Sequence, residues 1–121
     1  MKIDPRGILL TEQIDITWLK KLEPQFFKNF IKFDILPEEN KVFFGMQIHS
    51  HANGLLGGLQ ETREKLYGGN LFYEPVKIVW ESGLNLFHNN KLGATHDDLR
   101  LIVDKATIQR LDVILQKWVK L

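Results

Sequence analysis

Between Phe30 and Ser50 apolar and polar residues alternate, and the alternation is broken once, at Pro37-Glu38-Glu39-Asn40. Successive side chains of a strand point to opposite faces, so period two over this length demands two half-buried strands, and the four-residue break supplies the turn between them. Ile31, Phe33 and Ile35 alternate with Lys32 and Asp34; Val42, Phe44, Met46 and Ile48 alternate with Lys41, Phe43, Gly45, Gln47 and His49. A hairpin of strands 30–36 and 41–50 is the framework on which the rest of the chain must be placed.

Two further strands are expected at 70–73 and 76–88. In the second, Val76, Ile78, Trp80, Leu84 and Leu86 share one phase, and Lys77, Glu81 and Asn85 the other. Ala52 to Gly69 holds the pairs Gly57-Gly58 and Gly68-Gly69 and reads as a short helix or turn followed by a loop, with a second loop at 89–94. A helix from Asp15 or Thr17 to Phe27 is indicated by a capping residue and the spacing of Trp18, Leu19 and Leu22, with Pro24 bending or splitting it. Thr95, with Asp98 three residues on, resembles a capping box that opens C-terminal helices over 97–105 and 107–120. Strands linked by hairpins, with helices at both ends, predict an α+β fold: a four-stranded antiparallel sheet with N-terminal and C-terminal helices packed on one face.

The 121 residues fit a single domain, 1–121, and no low-complexity linker divides them. Hydrophobic residues at 44% and charged residues at 26% are globular proportions, which argues against disorder and fibrous repeats. With no cysteine, disulfides, thiolate metal sites and thiol nucleophiles are excluded together. The charged N-terminus is no secretory signal and no apolar stretch is long enough to span a bilayer, so a soluble, cytoplasmic protein without a membrane partner is expected. Net charge is +1 with both signs interspersed, so no nucleic-acid partner is expected.

Candidates for chemistry are few. His49-Ser50-His51 places two imidazoles on one face if the strand continues, a spacing that a metal accepts, but no third ligand is identified by spacing and no metal is assigned. A similar His-Ser-His core occurs in metal-dependent deubiquitinase-type peptidases, but the serine and aspartate that complete that site are missing from Leu59-Gln60-Glu61-Thr62. Neither serine sits in a nucleophile elbow, and the glycine pairs lack the Lys-Ser/Thr of a phosphate loop. What remains is a polar sheet face of Lys32, Asp34, Gln47, His49, Glu81 and Asn85. His49 and Asn85 are the expected ligand-binding residues, with His51 and Ser82 beside them.

The run Gly45-Met46-Gln47-Ile48-His49, then Leu55-Leu56, Leu66-Tyr67-Gly68-Gly69-Asn70-Leu71-Phe72-Tyr73 and Ser82-Gly83-Leu84-Asn85-Leu86, resembles a family of small bacterial proteins known only as a domain of unknown function. The matching positions are His49, Leu55, Leu56, Leu66, Gly68, Asn70, Leu71, Ser82 and Asn85. Phe87 and His88 stand where the family pattern has Arg-Pro, and His51 where it has an acid. The resemblance implies a bacterial origin and no particular activity.

Two functions follow as expectations. The first is a non-catalytic association module, homodimeric through the C-terminal helix. There Ile108, Leu111, Leu115 and Trp118 form a stripe that Ile114, Val119 and Leu121 widen beyond what one sheet face needs. The second is a small-molecule or metal-binding domain, or a hydrolase, on the polar face around His49 and Asn85.

Overall fold

A computed structural model describes residues 2–4, 7–21, 29–44 and 64–121. The fold is α+β, with an antiparallel sheet and helices. The described strands are β1 (Lys2–Asp4), β2 (Gly7–Leu9), β3 (Ile14–Asp15), β4 (Phe30–Leu36), β5 (Lys41–Phe44), β6 (Tyr67–Tyr73), β7 (Val76–Val79) and β8 (Val119–Lys120). The described helices are α1 (Ile16–Lys21), α2 (Asn85–Leu92) and α3 (Lys105–Trp118). The main sheet runs β1-β2-β5-β4-β6-β7 through five antiparallel pairings, so it is wider than the four strands expected from sequence. The added strands come from the N-terminus, whose apolar run pairs Ile8 with Phe44 and Leu9 with Phe43.

The hairpin that the alternation demands is at the centre of this sheet. β4 spans the expected residues, and β5 pairs with it in the register Phe33↔Phe44 and Ile35↔Val42. Pro37–Glu39 form a 3-10 turn, suited by the fixed φ of proline at its start. Asn40 closes it at φ 52, a left-handed conformation that asparagine tolerates, with its N–H donating to the Pro37 carbonyl. The expected extension of the second strand to residue 50 lies outside the described residues.

Four expectations are corrected. β6 begins at Tyr67 rather than Asn70, because the glycine pair read as loop is strand. Gly69 lies opposite Phe33, and a Cβ there would sit 2.6 Å from the end of the Phe33 ring, so a larger residue would have to displace that ring. The strand expected over 76–88 ends at Val79, and α2 takes over the region read as its second half and as a loop. The chain turns at Ser82-Gly83, where the Ser82 hydroxyl accepts the Leu84 N–H and its carbonyl accepts the Asn85 N–H, competing with strand pairing. Residues 97–104 are not helical: Asp98 accepts the Arg100 N–H, and residues 100–102 run antiparallel to 80–82, with Ile102 N–H on the Trp80 carbonyl and Ser82 N–H on the Arg100 carbonyl. Asp34, expected on a wet face, is fully buried, because that face is also covered.

Two apolar clusters lie on the two sides of the sheet. The larger joins Ile31, Phe33, Ile35, Val42, Phe44, Leu71 and Tyr73 with Leu19 of α1 and Leu111 and Leu115 of α3. Phe33 is its hub, edge-on to Trp80 at 5.3 Å and tilted against Phe44 at 5.6 Å. The N-terminal and C-terminal helices thus share one cluster. On the other side Leu36, Phe43 and Leu66 meet Leu84, which leads into α2. Trp80 and Leu84, in phase if the strand had continued, therefore serve opposite sides.

Asp15 caps α1 by accepting the Thr17 N–H and hydroxyl, as the sequence anticipates. Its neighbour Ile14 pairs in parallel with Val119, so β3 and β8 tie the chain's end to the start of α1. The continuation of the first helix to Phe27, with Pro24, lies outside the described residues. No helix among the described residues is long and apolar enough to cross a membrane.

Candidate functional site

α2 presents three polar residues inward at positions i, i+3 and i+4: Asn85, His88 and Asn89. This spacing places them on one helix face. Asn85 is fully buried. Its Oδ1 accepts the Gly68 N–H at 2.9 Å, and its Nδ2 donates to the carbonyls of Gly68 (3.0 Å), Arg100 (3.0 Å) and Trp80 (3.3 Å). Three carbonyls around one nitrogen and an N–H against the oxygen fix the amide's orientation on chemical grounds. Asn89, one turn on and also buried, donates to the carbonyls of Leu99 and Leu101. The Leu101 carbonyl also accepts from His96 Nε2 at 2.8 Å. Side chains of α2 therefore supply donors to all three carbonyls of the non-helical segment 99–101, beside the Ser82 N–H on Arg100 and His96 on Leu101.

That segment delivers Asp104 to His88. His88 Nε2 lies 2.9 Å from Asp104 Oδ1 and 3.3 Å from Thr107 Oγ1; its Nδ1 lies 3.4 Å from the Tyr67 hydroxyl, and the two rings meet edge to face at 5.2 Å. An ionised carboxylate only accepts, so His88 carries a hydrogen on Nε2, and Nδ1 faces the phenol. The order carboxylate, imidazole, hydroxyl is that of a nucleophile-activating relay, and among the described residues it is the arrangement closest to chemistry.

The electrostatics oppose that use. Burial pushes the Tyr67 phenol above its ordinary range; Arg110 opposes this, while Asp104 and Glu38 add to it. The proton is therefore held on the oxygen, and the 3.4 Å separation is long for a hydroxyl delivering it to a base. For Asp104, burial pushes the carboxyl up, but hydrogen bonds from Thr107 and His88, with the charge of the imidazole where it is protonated, outweigh it and hold it below the usual carboxylate range. A stabilised carboxylate, an oriented imidazole and a retained phenolic proton make a clasp that joins β6, α2 and the first turn of α3.

Of the expected ligand residues, Asn85 and Ser82 are described, and neither is strand-borne. Asn85 and Ser82 are close together, but at the entrance to α2, both buried and both hydrogen-bonded to backbone. His49 and His51 lie outside the described residues. Among the described residues no group of three His, Asp or Glu side chains is placed to hold a metal ion. An open recess of about 220 Å³ is lined by Glu12, Gln13, Ile14, Asp15 and Trp18, on elements remote in sequence from the His88 cluster.

The i, i+3, i+4 spacing of Asn85, His88 and Asn89 is the sequence signal that would have found this cluster, and it was masked by the apparent alternation of Trp80, Leu84 and Leu86. Comparison with protein-family models, with curated proteins and with solved structures finds no match to this chain.

Proposed function

We propose that this domain is a non-catalytic association module that works as a homo-oligomer, in the reducing cytoplasmic setting that its cysteine-free sequence suits. The observation that carries this reading is Val113, which is 66% exposed in the middle of α3 while Leu111 and Leu115 of the same helix are buried. Leu111, Leu115 and Val119 are buried, Ile108, Ile114 and Trp118 pack against the same cluster, and the Trp118 indole donates to the Asn40 carbonyl at 3.1 Å. The expected stripe packs inward from Ile108 to Val119, while Leu121, which widens it, is exposed, and the outer face around Val113 is what α3 offers a second copy. Arg110 and Lys117, three residues before and four after, flank it on that face. Two such faces bring like charges together, so association through them strengthens as salt screens the repulsion.

Sedimentation velocity from 1 to 100 micromolar, an arbitrary range of about two decades set around typical weak-dimer affinities, tests the reading. A concentration-dependent dimer that Val113→Lys abolishes, with unfolding free energy unchanged within about 0.5 kcal/mol as for an exposed site, supports it. A strict monomer at every concentration and salt overturns it, and a dimer indifferent to Val113→Lys overturns the assignment to this face.

One observation favours a second reading, a small-molecule or metal site on the opposite side of the sheet. Asp34 is fully buried in β4 and pairs with Gly68, the residue that Asn85 brackets. Buried ionisable groups are common at binding sites. Isothermal titration with zinc separates the two: uptake lost in both Asp34→Asn and His49→Ala favours this site, and no heat in the unaltered protein removes its metal form.

A further inference from the structure

We draw no further inference here: the strongest candidate, the Tyr67–His88–Asp104 side-chain cluster where α2 meets the first turn of α3, belongs to the site already described, where it serves as a clasp between elements of the fold.

Discussion

Replacing Asn85 by alanine tests whether the carboxamide is a brace or a ligand group. The substitution removes one acceptor and one donor nitrogen, and it leaves the Gly68 N–H and the carbonyls of Gly68, Trp80 and Arg100 short of partners. Two relieve themselves in part: the Arg100 carbonyl keeps the Ser82 N–H, and the Trp80 carbonyl keeps the Ile102 N–H. The main cost therefore falls on the two groups of Gly68, each about 1–3 kcal/mol when orphaned in the interior. With partial relaxation the expected loss is about 3 kcal/mol, or roughly 10 °C in Tm for a domain of this size. Urea unfolding followed by Trp fluorescence gives the number directly. Asn85→Asp sharpens the test, since it keeps the acceptor for the Gly68 N–H but turns an anionic oxygen toward three carbonyls. Its folded-state pKa is then raised above the unfolded value, so the variant recovers stability as pH falls and loses it as pH rises through that folded value. An Asn85→Ala protein within about 0.5 kcal/mol of the parent, the scale of a surface substitution, would refute the brace and return Asn85 to the list of candidate ligand groups.

Asp104→Asn bears on the clasp. Because the Asp104 carboxyl is held below its unfolded value, its contribution is present above the ordinary carboxylate range and is lost as pH falls through the lowered folded value. The variant should therefore lose stability at pH 7 and show a weaker acid-induced loss than the parent in urea titrations between pH 2 and pH 7, the span that brackets ordinary carboxylate titration by about two units. Gly69→Ala drives a methyl group into the Phe33 ring and should cost roughly 1–3 kcal/mol by overpacking; thermal unfolding reads it, and an unchanged Tm would mean that the strands separate more readily than the contact implies. Leu111→Ala, at a fully buried position shared by α3 and the sheet, should cost about 2–5 kcal/mol, against almost nothing for Val113→Ala on the outer face, as measured by chemical denaturation.

The central hairpin was legible because one mechanism governs it. Ile31, Phe33 and Ile35 face one side, the turn contains a proline and a left-handed asparagine, and every local preference agrees with the tertiary pairing. The cap at Asp15 and the body of the last helix were legible for the same reason. Reading failed where a side chain's local role is decided by a partner distant in sequence. Gly69 reads as a loop residue until Phe33 is placed opposite it, thirty-six positions away by their numbers. Val76 to Leu86 satisfies a strand template throughout, yet Ser82 bonds its own following backbone and Asn85 finds donors and acceptors on Gly68 and Arg100, so the chain leaves the sheet. The same competition explains the candidate site. A polar residue on the wet phase of a strand invites a ligand, whereas the same residue on the inner face of a helix must satisfy backbone groups first. Asn85 and Asn89 are buried beside an irregular segment whose carbonyls accept from both, so each is held by backbone groups that only the fold brings to it.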